Sequence, residues 1–424
     1  MRLSRVSATL RRGITVTAMA VVALAAPLFA GRTSESPSTE TRALWVLRTS
    51  LTSTESIATL VRTAREHGFN TLLVQVRGRG DAYFNGGLEP RAADLHRRPA
   101  SFDPLATVLD SAHAAGLRVH AWVNLNLISS AVDLPIAQTH IVQRHPDWLM
   151  VPRDLAQELA RVPAESPAYV GKIARWTRTQ SADVEGLYAS PILPAAAAHV
   201  EAVVRDLVTR YPVDGVHLDY ARYPNARFDY SRGAIREFRD AIRPTLALTA
   251  RREVDAQESV HPLAYPDTFQ EEWKAFRIAR MTGLVTRLRK TIKAARENAL
   301  VTIATAPDLA DARDRKLQDW GTWLQTGLVD AVCPMAYTPE PALFAEQIAA
   351  ARDVKGGRAV WAGIGAYRLP PAQTIENIET ARRLGAGGVV LFSYDSLIET
   401  APDYIAVVGR SAFGKPATAS AGSR

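Results

Sequence analysis

Cysteine is almost absent: Cys333 is the only one in 424 residues, so no intramolecular disulfide can form. It sits in an apolar run and reads as a small core residue, with no Cys-protease signature around it. Beyond the first thirty residues no stretch carries charge of one sign. Despite a formal charge of +8, Lys and Arg are interleaved with Asp and Glu, which argues against a nucleic-acid partner. Nine His are spread along the chain without a close His/Asp/Glu triad, so neither a metal site nor a cofactor is expected. No long apolar run suits a membrane span. The one candidate, Ile14 to Ala30, falls short of the ~20 residues a spanning helix needs and is interrupted by Pro27.

That run follows Arg2, Arg5, Arg11 and Arg12 and ends in small residues near Ala26 and Ala30, the pattern of an export signal over residues 1–30. Removing it would take the formal charge from +8 to +4 and place the protein in the periplasm, the cell envelope or the medium. No Cys lies near the cleavage region to carry a lipid. Residues 31–40 (GRTSESPSTE) read as a polar linker and 411–424 as a loose tail. Hydrophobic residues at 47% and charged residues at 22% suffice for a full core between them.

Over 41–410 short apolar segments alternate with amphipathic helices. Strands are expected at 43–47, 71–77, 118–124, 214–220, 300–306, 331–337, 359–366 and 388–394. Helices are expected at 56–67, 104–115, 195–211, 268–297, 316–326, 341–353 and 371–384. Eight strands in this alternation predict a closed (β/α)8 TIM barrel. The rival open sheet usually carries a Gly-rich phosphate turn after its first strand, and RTSLTSTES has none.

Two connections, 127–194 and 221–267, are much longer than the rest. Both follow a strand and precede a helix, so they belong to the C-terminal face, where active sites of this fold lie. Their aromatics and Arg suit sugar faces and hydroxyls. The motif Asp214-Gly-Val-His-Leu-Asp219-Tyr-Ala-Arg-Tyr-Pro224 carries the chemistry. Alternation turns His217 and Asp219 into the barrel, with Asp219 at the catalytic rim. A desolvated carboxylate there can act as a general acid; the alternative is a structural Asp paired with Arg222 or Arg77. Gln75, Arg77 and Asn124 are expected to project inward as well. Arg77 either anchors substrate or holds Asp219 ionised.

Taken with RALWV (42–46), FNTLLVQVRGRGDAYF (69–84), LRVHAWVNLN (117–126), HPDWL (145–149), DAVCPMAYT (330–338) and GVVLFSYDSL (388–397), this motif resembles glycosyl-hydrolase-like family 10 of bacterial extracytoplasmic proteins. The resemblance runs from about Arg42 to Asp395. It implies an exported barrel glycosidase acting on a polysaccharide, with peptidoglycan or related N-acetylhexosamine glycans as the substrate class. The 211–224 segment is also similar to the family 18 chitinase pattern. Here, however, Ala221 stands where that pattern has its catalytic Glu, and His217 replaces a middle Asp. Tyr337 is similar to the chitinase Tyr that supports a substrate N-acetyl group, which implies a sugar-assisted route. Otherwise a second carboxylate is needed, about 5–5.5 Å away for retention or about 6.5–9.5 Å for inversion, with Asp308 and Asp395 as candidates.

The expected catalytic residues are therefore Asp219, Asp308 and Tyr337. Arg77, Asn124, His217, Tyr220, Arg222 and Tyr223 are the expected substrate contacts. The competing classes are a catalytically silent glycan-binding barrel and a metal-dependent deacetylase, the latter lacking its Asp and His ligands.

Overall fold

A computed structural model describes residues 40 to 414 except Lys355. The expected export signal, most of the linker and the end of the tail lie outside the described residues.

Eight parallel strands close into one barrel in chain order: β1 (Thr41–Val46), β2 (Thr71–Arg77), β3 (Arg118–Asn124), β4 (Gly215–Asp219), β5 (Leu300–Thr305), β6 (Ala331–Ala336), β7 (Ala359–Ile364) and β8 (Gly388–Leu391). β1 closes the ring by pairing with both β2 and β8, with Ala43 opposite Thr71 and Thr41 opposite Gly388. Alternation divides each strand between two cores. Ala43, Trp45, Leu73, Trp122, Ala304, Cys333, Trp361 and Val390 fill the barrel. Leu44, Val46, Val74, Ala121, Val123, Val216 and Leu218 pack outward under the helices. Close packing of the interior depends on Gly363, where a Cβ would lie 2.9 Å from the Trp45 ring and 2.6 Å from the Pro334 carbonyl oxygen.

Local chemistry sets the helix starts. Ser53 and Ser56 form a capping box before Thr54–Glu66, and Asp103 caps Pro104–Ala114 with proline at its first turn. The helices Pro194–Arg210, Gln270–Ala295, Pro341–Asp353 and Pro371–Arg383 agree with expectation within two residues. The helix expected from Lys316 starts later, at Trp320, because Leu317 takes a left-handed backbone conformation (φ 52°) that no α-helix accommodates.

The two long connections are folded segments. The first contains Arg153–Leu159 and Pro167–Thr179. The latter starts with Ser166 as cap and buries Tyr169, Ile173, Ala174 and Thr177 on one face. Leu127–Ser129 pairs antiparallel with Leu187–Tyr188, which ties both ends of this segment to the barrel rim. The second contains Arg232–Ile242, Leu248–Glu258 and Ala264–Thr268. At the C-terminal end Phe413 still packs edge-on against Phe69, ring centroids 5.1 Å apart. Among the described residues no helix is long and apolar enough to cross a membrane.

Candidate active site

The C-terminal ends of β1, β3, β4, β5 and β6 open into a cavity of about 450 Å³. Its floor is aromatic: Trp45 and Trp122 rise from the barrel interior, while Tyr337 and Phe392 stack at 5.5 Å above them. Trp45 meets Tyr337 and Phe392 edge-on at 6.2 and 6.0 Å. Met335 and Tyr220 complete the apolar side, Gln75 adds an amide, and Glu185, Asp219, Arg222, Asp311, Arg315 and Lys316 bring charge.

Asp219 ends β4 and is 7% exposed. One carboxylate oxygen accepts the Trp122 indole N–H at 3.1 Å, and the other accepts the Tyr220 backbone N–H at 2.6 Å. Burial pushes its carboxyl above the usual Asp range, against the opposing pull of Arg222 and these hydrogen bonds. Tyr220 sits at φ 52°, in the left-handed region that a bulky residue rarely enters, and its ring lies under the Arg222 guanidinium at 4.4 Å. Tyr337 faces the same cavity. Burial and the nearby Asp219 charge hold its phenol far above the usual value, so it stays a neutral hydroxyl.

Glu185 is a cavity-lining carboxylate that sequence reasoning missed. It precedes the Leu187–Tyr188 strand and accepts hydrogen bonds from Arg222 at 3.1 Å and from the Tyr188 hydroxyl at 2.5 Å. Partial burial raises its carboxyl, but Arg222 and Tyr188 outweigh this and hold it below the ordinary Glu value. Asp219 and Glu185 thus line one cavity with opposed tendencies, one toward the acid form and one toward the carboxylate. Such a division separates an acid from a base or nucleophile.

Of the residues expected to touch substrate, Tyr220 and Arg222 line the cavity; Arg77, Asn124, His217 and Tyr223 do not. Arg77 is turned away by a bulge. Between Gln75 and Arg77 the register slips, so Arg77 stands opposite Val123, which faces outward. It clasps Glu89 through two hydrogen bonds of 2.6 and 2.7 Å and donates to the Asn124 and Leu125 carbonyls, so it does not hold Asp219. Asn124 supports the floor: its side-chain Oδ1 shares the Trp122 N–H with Asp219, and its side-chain amide N–H donates to the Gly78 carbonyl.

His217 accepts the Trp45 indole N–H at 3.0 Å and bonds Thr302 at 3.0 Å through the other ring nitrogen. Burial drives its pKa well down, so the ring is neutral with its proton on Nδ1, and it fixes the Trp45 orientation. Tyr223 is fully buried, with its hydroxyl on the Arg277 carbonyl at 3.2 Å. Asp308 lies apart from the cavity as the N-cap of Leu309–Asp314, accepting the Asp311 N–H at 2.6 Å. Asp395 accepts from Leu47, Thr49 and Ser50 and braces the loop after β1. His120 is fully buried in the barrel interior beside the Trp361 ring.

Residues 38–377 match the model of the family described as Glycosyl hydrolase-like 10. The chain belongs to that family. Its relatives include the glycosyl hydrolase DigH of Escherichia coli (strain K12), 24% identical over 290 residues that make up 64% of this chain and 55% of DigH. The glycosyl hydrolase YngK of Bacillus subtilis (strain 168) is 23% identical over 298 residues, 66% of this chain and 48% of YngK. The chain therefore spans about half the length of these relatives. In three dimensions it is similar to the PgaB (BpsB) glycoside hydrolase domain of Bordetella bronchiseptica, with a TM-score of 0.60 at 16% identity, covering 89% of this chain and 100% of that one. The catalytic domain of a Paenibacillus polymyxa β-amylase gives 0.58 at 11%, covering 89% and 99%. These two likenesses establish a TIM-barrel architecture shared with glycoside hydrolases.

Proposed function

We propose that the protein is an exported glycoside hydrolase that cleaves a bacterial envelope or extracellular polysaccharide containing N-acetylhexosamine, with Asp219 as general acid. Asp219 carries this reading: a carboxyl at the end of β4, buried beneath an aromatic-walled cavity and biased toward its protonated form, supports proton donation to a departing glycosidic oxygen. Glu185, kept as a carboxylate by Arg222 and Tyr188, serves as the second carboxyl that the reaction needs. Trp45, Trp122, Tyr220, Tyr337 and Phe392 offer ring faces and edges to the apolar faces of sugar rings. Membership of a glycosyl hydrolase-like family supports the reaction class. The basic and apolar N-terminal segment supports export, and the glycan type follows from the family resemblance.

Incubation of the mature protein with purified glycan strands tests the proposal. New reducing ends are expected. Released acetate would instead mark a deacetylase, and retention without products would mark a binding module.

A further inference from the structure

We infer that the wall of the cavity formed by Arg222, Arg315 and Lys316 is an anion subsite, built to hold a carboxylate carried by the glycan next to Asp219. The inference rests on the glycan-cleaving reading above and adds a charge requirement to it.

The three cations come from two loops. Arg222 follows β4, and Arg315 and Lys316 follow β5. The loops are stitched together. The Tyr223 N–H donates to the Lys316 carbonyl at 3.0 Å, the Lys316 ammonium donates to the Pro224 carbonyl at 2.6 Å, and the Gln318 amide reaches the Ala221 carbonyl at 3.4 Å. The cations are therefore held close to one another on purpose-built backbone. The only two non-glycine residues with left-handed backbone among those described, Tyr220 and Leu317, both at φ 52°, stand two positions before Arg222 and one after Lys316. Conformations of this kind persist where surrounding structure enforces them, and they concentrate at ligand sites.

The acceptors on this wall do not match its donors. Arg315 is occupied by Asp311 through contacts of 2.5 and 2.9 Å. Arg222, 7% exposed, reaches Glu185 through Nη2, but its buried Nη1 has no acceptor among the described residues. Lys316 is half-buried and meets a neutral carbonyl, with no ion pair among the described residues. Burial and the neighbouring Arg222 charge pull its ammonium down to about 8, as expected for cations crowded together without an anion between them. In the state in which Asp219 carries the proton it is to deliver, Glu185 and Asp311 offset two of the three cations and leave one positive charge on the cavity wall. A neutral sugar hydroxyl satisfies the orphaned N–H but not the charge. A carboxylate satisfies both, accepting from Arg222 and pairing with Lys316.

Such a carboxylate can be a uronic acid or an ether-linked lactate on an N-acetylhexosamine, and the test separates them. Calorimetric titration of the non-turning Asp219→Asn protein uses two matched pairs: each acidic oligosaccharide and the same compound with its carboxyl reduced to an alcohol. In at least one pair the acid is expected to bind about tenfold more tightly, which also identifies the carboxylate source. Adding Lys316→Met should shrink that ratio to about threefold or less, and Lys316→Arg should restore it. Arg222→Gln gives a second route to the same loss if Lys316→Met fails to fold. Equal binding of acid and alcohol in both pairs, or an acid preference that survives Lys316→Met and Arg222→Gln, would overturn the subsite. Wild-type protein assayed on the same compounds keeps the two ideas apart. Acid preference in binding with no cleavage of any compound would sink the hydrolase alone. Equal cleavage of acids and alcohols with equal binding would sink the anion subsite alone.

Discussion

Replacing Arg77 by Met separates the structural role seen here from the substrate role that its strand position suggests. Arg77 is 1% exposed and Glu89 is 7% exposed, and the pair is joined by two short charge-assisted hydrogen bonds. Methionine fills most of the volume but leaves Glu89 buried beside only His199, at 3.2 Å. Breaking one side of a buried pair costs about 3–5 kcal/mol. For a folded chain of this length, at about 2.1 cal/mol/K per residue, thermal unfolding should shift down by about 4–6 °C.

A second consequence concerns pH. Burial would raise the Glu89 carboxyl, but Arg77 and His199 hold it at about 2 against an ordinary 4.5. A lowered folded-state pKa stabilises above the unfolded value, and that contribution fades as pH falls from about 4.5 toward 2. It amounts to on the order of 3 kcal/mol. Arg77→Met should therefore flatten the acid side of the stability profile. Arg77→Met combined with Glu89→Leu should recover most of the loss, because an apolar pair replaces a buried ion pair at little cost. Melting curves from pH 3 to 7 and steady-state kinetics at neutral pH provide the readout, with KM expected to change by about twofold or less. A single variant that melts like the wild type but loses substrate affinity would refute this and return Arg77 to the binding site.

Tyr223→Ala should behave as a core truncation, costing about 3–5 kcal/mol in chemical denaturation with KM of the folded fraction unchanged; raised KM at full stability would place Tyr223 against substrate. Glu185→Gln should lower kcat by about 10²-fold or more and move the alkaline limb of the pH–rate profile to lower pH. The direction follows because the Glu185 charge raises the Asp219 carboxyl and Arg222 lowers it, so removing the former frees the latter to act. A full-rate Glu185→Gln enzyme with an unmoved limb would remove Glu185 from the chemistry.

Much of the scaffold was readable because alternation and helical spacing report burial directly. β2 and β3 fall on the expected residues, and the inward placement of His217 and Asp219 follows from Val216 and Leu218 facing the helices. The same rule failed two residues past Gln75, since a bulge leaves no mark in TLLVQVR and reverses Arg77. Tyr223 was misassigned because an aromatic on a rim loop is equally suited to packing, and only the fold shows Arg277 waiting behind it. Glu185 was invisible for a different reason: its significance lies in Arg222 and Tyr188, and the former is remote in sequence. The helix that presents its segment could have been found from Ser166-Pro167 and the spacing of Tyr169, Ile173, Ala174 and Thr177. Lys316 hid inside a stretch that scans as helix until Leu317 turns left-handed.

The central claim is that Asp219 delivers the proton, and Asp219→Asn tests it most directly. Burial keeps this carboxyl above the ordinary Asp range, so wild-type activity should fall as pH rises through that elevated value. Asparagine keeps the shape and can still accept the Trp122 N–H, but it supplies no proton. On natural glycan kcat should drop by about 10²–10⁴-fold with a smaller change in KM. A substrate with an activated phenolic leaving group should recover much of the lost rate, because its departure needs little protonation. Near wild-type turnover of unactivated glycan by Asp219→Asn would contradict the account.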